Sequence, residues 1–195
     1  MRDNFREALA APAEAVAPRL LGCELVRELD GALLRGRIVE TEAYAQDDAA
    51  SHSYRGQTER TRVMFGPPGR LYVYFTYGMH YCCNIVTGPP GYGSAVLVRA
   101  VEPLEGEGVM SANRHGVEGT GLTNGPAKLC QALGINKSLN GHDLAAAPLK
   151  LIIRPALEQA AIIQTTRIGI SRAQDAPWRF YIKGNAYVSQ PVRML

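Results

Sequence analysis

Apolar positions in the first twenty residues fall at Phe5, Leu9, Val16 and Leu20, a helical spacing that Pro12 and Pro18 interrupt, so the pattern predicts two short helices between Asn4 and Leu21. The period then shortens. Cys23 to Arg27 and Ala32 to Tyr44 are β-compatible runs on either side of Asp30-Gly31, a dipeptide that favours a two-residue hairpin turn. Leu71 to Thr76 and Met79 to Val86 form a second such pair with Tyr77-Gly78 at its tip. Ser94 to Val101 is almost continuously apolar and therefore reads as a buried strand, and shorter strand-like runs follow at Leu149–Ile153, Thr166–Ile170 and Arg179–Ile182. Pro126 to Leu133 has helical character with proline at its first position and Gly134 as its stop. The segment 105–125 carries six glycines and no apolar period, which predicts a long Gly-rich loop. Several antiparallel strands with few helices, and no alternation of strand and helix, predict an α+β domain.

At 195 residues and 21.2 kDa the chain has the size of one domain, spanning 1–195, with residues 1–20 as a helical N-terminal extension. A composition of 46% hydrophobic and 20% charged residues excludes disorder, and no internal repeat is present. The longest uncharged stretch, from Leu71 to Ala95, is crowded with Tyr, Gly, Pro and Asn, which excludes a membrane span. The N-terminus lacks an apolar leader core, so the expected location is the cytoplasm, in association with the nucleoid. Cys23, Cys82, Cys83 and Cys130 show no C-x-x-C spacing and are expected as reduced core residues, with adjacent Cys82 and Cys83 on opposite faces of a strand. Net charge is only 21 − 18 = +3, but Ser51 to Arg70 holds four arginines (Arg55, Arg60, Arg62, Arg70) against Glu59 alone, which is 4 − 1 = +3 in one loop. That loop fits phosphate contacts. A compositional account stays open beside it, since the chain uses 17 Arg and 4 Lys. Motifs for dinucleotide binding, phosphate loops and H-E-x-x-H zinc sites are absent.

Candidate chemistry begins in the second strand, where the two-residue period places Ile38, Glu40, Glu42 and Tyr44 on one face. A carboxylate in a strand interior is solvated, paired or at work, and the period alone leaves these open for Glu42. Nearby, Tyr72, Tyr74, Phe75, Tyr77 and Tyr81 fall within ten residues, and core packing accounts for Tyr72, Phe75 and Tyr81. Tyr77 lies at a hairpin tip, beyond the reach of a core, and fits either a wedge for a stacked ligand such as duplex DNA or a partner interface. His52 has no second His or Cys at ligand spacing, so no metal site is expected. Arg99 closes a buried run and needs a carboxylate partner, for which Glu42 and Glu102 are both eligible. Lys128, in the first turn of its helix, could meet a phosphate or be a solvated helix residue.

Eight ordered blocks carry a resemblance that runs from about Leu20 to Ser189: Arg37–Tyr44, Met64–Gly69, Leu71–Met79, Asn84–Val86, Arg99–Gly106, Asn124–Leu133, Arg167–Ile170 and Trp178–Tyr181. They closely resemble the alkyladenine (3-methyladenine) DNA glycosylase family. The resemblance implies a single mixed domain around a curved, mostly antiparallel sheet with a protruding hairpin, a monomer without metal or cofactor. It implies duplex DNA containing damaged purines as the partner, with the damaged nucleotide flipped into a pocket. Glu42 then corresponds to the general base that activates water, Arg99 to its partner in holding that water, and the backbone carbonyl near Ile168 to a third water contact. Tyr44, His52 and Tyr74 correspond to the stacking walls of the base pocket, and Asn84 and Leu97 to its floor and lining. Tyr77, with Met79 beside it, corresponds to the DNA wedge, and Arg55, Arg60, Arg62 and Lys128 to phosphate contacts.

The implied reaction is hydrolysis of the N-glycosidic bond of 3-methyladenine, 7-methylguanine and, further, hypoxanthine or ethenoadenine, leaving an abasic site. Three other readings stand beside it: a bifunctional glycosylase/lyase with Lys128 as nucleophile, a non-catalytic lesion-binding module in which Glu42 is structural, and a hydrolase of free nucleosides.

Overall fold

The computed structural model describes residues 2–76 and 78–190. Two short helices, α1 (Arg2–Leu9) and α2 (Ala13–Arg19), open the chain and are separated at Pro12 as predicted, whereas Pro18, expected as a second interruption, lies inside the last turn of α2. Eight antiparallel strands follow: β1 (Glu24–Leu29), β2 (Ala32–Tyr44), β3 (Leu71–Thr76), β4 (His80–Val86), β5 (Ala95–Glu105), β6 (Leu149–Ile152), β7 (Ile162–Thr165) and β8 (Arg179–Ile182). Helices α3 (Glu107–Asn113) and α4 (Pro126–Ala132) lie between β5 and β6. The architecture is the α+β class expected.

The sheet runs β3-β4-β5-β2-β1-β6, and β2 organises it. One edge of β2 pairs with β5 from Arg35 to Tyr44. Its other edge pairs first with β1 over Ala32–Arg37 and then with β8 over Glu40–Glu42, so the sheet forks along this one strand and curls. The β1–β2 turn places Asp30 at φ 50° and Gly31 at φ 80°, the two left-handed residues that a tight hairpin of this hand requires.

Paired irregularities between β2 and β5 decide which side chains face which way. Ile38 lies opposite Val101 and Glu40 opposite Ala100, which leaves Val39 as an extra residue in β2; Thr41 then lies opposite Val98, which leaves Arg99 as an extra residue in β5. An extra residue breaks the two-residue alternation. Ile38 consequently joins the buried apolar cluster with Leu34, Ala43, Val98 and Val101, and does not share a face with Glu40, Glu42 and Tyr44 as simple alternation predicts. Arg99 keeps the cavity side that alternation with Leu97 gives it, and the extra residue brings Val101 into the core beyond it.

The core occupies one face of the sheet. Val73, Cys83, Ile85, Val96 and Val98 project into it and pack against Val16, Ala17, Leu129 and Cys130 of α2 and α4. All four cysteines are buried and unpaired, and Cys82 and Cys83 point to opposite faces as predicted.

Three expectations about elements are corrected. The segment 105–125 contains α3 and a 3-10 turn at Gly119–Leu122 in place of a continuous loop. Gly106, at φ 79° and with a Cβ position 2.4 Å from Leu34 Cδ2, is a site only glycine fills, and it starts the helix that buries Met110 completely. Gly108 inside α3 costs about 1 kcal/mol relative to alanine, which burial of Met110 exceeds. The strand expected at Thr166–Ile170 lies earlier, at Ile162–Thr165, because Arg167 turns inward to a buried carboxylate and Gly169 takes φ 72°. Phe75, expected in the core, is 50% exposed on the hairpin and stacks against Tyr81 with ring centroids 5.0 Å apart.

Candidate active site

The face of the sheet opposite the core borders a cavity of about 640 Å³. Strand alternation supplies its wall: Tyr44 from β2, Tyr72 and Tyr74 from β3, Cys82 and Asn84 from β4, and Leu97 and Arg99 from β5 all reach it. The loop after β2 contributes His52 and Arg55, and the segment after β7 contributes Ile168, Gly169 and Arg172. All five residues expected to line a base pocket, Tyr44, His52, Tyr74, Asn84 and Leu97, therefore converge here.

Glu42 stands directly behind this wall, with no solvent-accessible surface. Its Oε1 accepts the Ile168 amide N–H at 2.8 Å and lies 3.2 Å from Arg99 Nη1; its Oε2 accepts the Tyr44 hydroxyl at 2.8 Å. A carboxylate has about four acceptor positions, so one on Oε2 stays open. Two hydrogen-bond donors and the Arg99 cation thus face this group. The Ile168 amide is thus a donor to Glu42, a contact separate from the water contact that the family resemblance implies for the backbone carbonyl near Ile168.

Arg99 pairs with Glu42 and also with Glu40, whose Oε1 lies 3.3 Å from Arg99 Nε. Glu102, the other partner considered, binds Arg37 at 2.5 Å and Asn185 at 2.8 Å instead, because the β2–β5 register sets it opposite Arg37. Burial opposes the charge on Arg99, but Glu42 and Glu40 outweigh it and raise its pKa. Glu40 is itself fully buried and takes Arg179 Nε at 2.6 Å together with the Ser189 amide and hydroxyl.

A second buried pair underlies the aromatic wall. Arg167 and Asp48 have no accessible side-chain surface and form two hydrogen bonds, with Arg167 also donating to the Ala43 carbonyl at 2.9 Å. Its guanidinium carbon lies 4.7 Å from the Tyr44 ring centre and 5.2 Å from that of Trp178. The cation thus fixes Tyr44 from behind. Burial, followed by the charge on Glu42, pushes the Tyr44 hydroxyl far above its ordinary pKa, so it stays a donor.

His52 packs edge-on to Tyr74, with ring centres 4.6 Å apart, and its Nδ1 lies 3.1 Å from the Tyr72 hydroxyl. More than a third of its surface is accessible through the cavity mouth. Desolvation by the rings, and then the charge on Arg60, lower its pKa to about 4, so it is a neutral imidazole at pH 7. Burial likewise raises Tyr74 far out of the physiological range. Asn84 donates to the Tyr72 carbonyl at 3.1 Å, which fixes its amide in the cavity wall.

Arg55 and Arg172, which also line the cavity, join Arg60 around a smaller recess of about 270 Å³, and none of the three forms an ion pair among the described residues. Arg62 is partnered by Glu59 at 3.3 Å. Lys128 donates to Asn124 Oδ1 at 2.7 Å and does not line the cavity, whereas Pro126 of the same helix does. Met79 is 68% exposed at the hairpin tip. Tyr77 lies outside the described residues.

Sequence reasoning missed Tyr72, Cys82, Glu40, Asp48, Arg167 and Arg179 as parts of this site. Cys82 had a usable signal, its opposite orientation to core Cys83. Asp48 and Arg167 had none, being 119 residues apart.

The model of the methylpurine-DNA glycosylase (MPG) family matches residues 7–186. A protein of Carboxydothermus hydrogenoformans is 52% identical over 187 residues, 95% of this chain and 97% of its own. One of Methanoculleus marisnigri is 52% identical over 178 residues, covering 90% and 92%, and one of Francisella tularensis subsp. tularensis is 45% identical over 191 residues, covering 96% and 99%. Each of the three bears the name "Putative 3-methyladenine DNA glycosylase".

Proposed function

Because the chain belongs to the methylpurine-DNA glycosylase family and is a DNA glycosylase of base-excision repair, we propose that it takes alkylated purine nucleotides from duplex DNA into the aromatic cavity and hydrolyses their glycosidic bond with Glu42 as general base. The observation that carries this reading is a single carboxylate, fully buried, held by Tyr44, Arg99 and the Ile168 amide directly behind a wall of rings.

Loss of a purine from deoxyribose develops positive charge at C1′, and the attacking water must lose a proton. An anionic Glu42 with one open acceptor position serves both needs. Arg99 and the Ile168 peptide fix the direction in which that position points. Alkylation at N3 or N7 makes the purine a cation, and each electron-rich ring stacked on it is worth about 0.5–2 kcal/mol over the neutral base. Tyr44, Tyr74 and neutral His52 offer such surfaces, although Arg167 already lies behind the Tyr44 ring at 4.7 Å and Arg60 over the Tyr74 ring at 5.8 Å, and Arg55, Arg99 and Arg172 also reach the cavity. The Arg55, Arg60 and Arg172 rim suits phosphates flanking an extruded nucleotide, and the exposed Met79 at the hairpin tip suits the gap it leaves.

Lys128, bonded to Asn124 away from the cavity, lacks the desolvated surroundings that a Schiff-base nucleophile needs. The proposal is tested by incubating the protein with methylated duplex DNA and, separately, with free methylated nucleosides. It predicts release of 3-methyladenine from the duplex, negligible release from nucleosides, and no adduct on borohydride treatment. Equal release from free nucleosides, or a trapped adduct, would overturn it.

A further inference from the structure

Glu40 is a buried charge that the hydrolysis just described does not use. It lies two residues before Glu42 in β2, on the same side of the sheet, and has no accessible surface. A carboxylate in that position is costly unless it is paired. It meets two guanidiniums: Arg179 at 2.6 Å, in an aligned hydrogen bond, and Arg99 at 3.3 Å. The Arg99 contact is electrostatic, since Nε makes no aligned hydrogen bond. Arg99 is therefore shared between two carboxylates through different nitrogens, Nε toward Glu40 and Nη1 toward Glu42. An arginine beside a single carboxylate tends toward the two-pronged pairing that neutralises both groups most fully. Glu40 competes against that arrangement here, and the bulge at Arg99 puts the guanidinium within reach of both acids.

We propose that Glu40 is a positioning residue for the glycosylase reaction: by holding the Nε side of Arg99, it keeps the Arg99–Glu42 contact single-pronged and so preserves the basicity and open acceptor position of Glu42. The inference rests on the reading of Glu42 as the general base. Other titratable groups around Glu42 are Tyr44 on β2, Tyr74 on β3 and Arg99 on β5, with Arg167 behind Tyr44. Around Glu40 they are Arg99 and Arg179, the latter lying over the Tyr181 ring at 5.1 Å. Behind Tyr44 the carboxylate of Asp48 is paired with Arg167; the carboxylates in contact with Arg99 are Glu40 and Glu42.

Removing that charge lets Arg99 turn fully toward Glu42, and Arg179, no longer neutralised, acts in the same sense. Both lower the affinity of Glu42 for a proton. In the Glu40→Gln protein the acid limb of the single-turnover excision rate shifts roughly one pH unit downward and the plateau rate falls about fivefold, because a weaker base accepts the water proton less readily. Binding of duplex DNA carrying an abasic-site analogue stays unchanged. A role confined to stability would lower the melting temperature and leave the pH profile where it is. The double variant Glu40→Gln/Arg179→Gln removes one charge of each sign and serves if the single variant does not fold, with a smaller shift of the same sign expected. An unmoved acid limb and plateau in a folded variant would overturn the proposal. Parallel measurement of Glu42→Gln separates the two failures: activity surviving that change sinks the general-base reading itself, whereas loss of activity there with a wild-type profile for Glu40→Gln sinks only the role of Glu40.

Discussion

Replacing Arg167 by methionine leaves Asp48 as an uncompensated charge in a site with no accessible surface. The pair is joined by two hydrogen bonds, and Arg167 further holds the Ala43 carbonyl and packs between Tyr44 and Trp178. Breaking a buried pair from one side costs about 3–5 kcal/mol. For a chain of this length each kcal/mol lowers the melting temperature by about 2–4 °C, so Arg167→Met is expected to melt on the order of 10 °C lower. The cost arises mainly from the abandoned carboxylate. Asp48→Asn alone strands the guanidinium in the same way, while Asp48→Asn/Arg167→Met leaves neither charge unpaired. Urea unfolding of all four proteins therefore gives a double-mutant cycle with a favourable coupling of about 2 kcal/mol or more, the double variant being clearly more stable than the sum of the singles. Strict additivity would refute the account, because it would mean that the two groups do not rely on each other in the folded protein.

Other expectations concern the cavity and its rim. Tyr44→Phe removes the hydroxyl that donates to Glu42 and with it a charge-assisted bond of about 1.5–3 kcal/mol; excision kinetics should show an acid limb displaced to higher pH, and an unmoved limb would show the bond to be unimportant. His52, with a folded pKa of about 4 against about 6.5 unfolded, binds its proton less readily when folded. Stability from this group is present above pH 6.5 and declines as the pH falls toward 4, and an NMR titration should place its midpoint well below 5. Among the described residues Arg60 has no carboxylate partner whereas Arg62 has Glu59, so Arg60→Ala should reduce the slope of log affinity for duplex DNA against log salt by about one. Equal slopes for wild type and variant would remove Arg60 from the contact surface.

Much of this fold was legible because its signals are local. The Asp30-Gly31 turn, the proline that opens α4 and the alternation through β3 and β4 each depend on a few neighbouring residues, and each appears where expected. The Glu42–Tyr44 juxtaposition followed from the two-residue period. Long-range register did not follow. That Arg99 meets Glu42 and not Glu102, and Glu40 as well, depends on the β2–β5 register, with its extra residues in two strands 60 positions apart in sequence, which no local pattern announces. Glycine density concealed α3, whose helix is held by the burial of Met110 and not by propensity. Tyr72 read as core because both faces of β3 are covered, one by apolar side chains and the other by the cavity that it helps to form.

The proposed function has one hidden carboxylate, Glu42, take the proton from the attacking water. Its most direct measurement is the single-turnover rate of 3-methyladenine release by Glu42→Gln at saturating enzyme, where the neutral amide keeps the shape but loses the proton-accepting charge. We expect release to fall by at least about a hundredfold with affinity for the same duplex retained. Release at the wild-type rate by a folded Glu42→Gln protein would contradict the account.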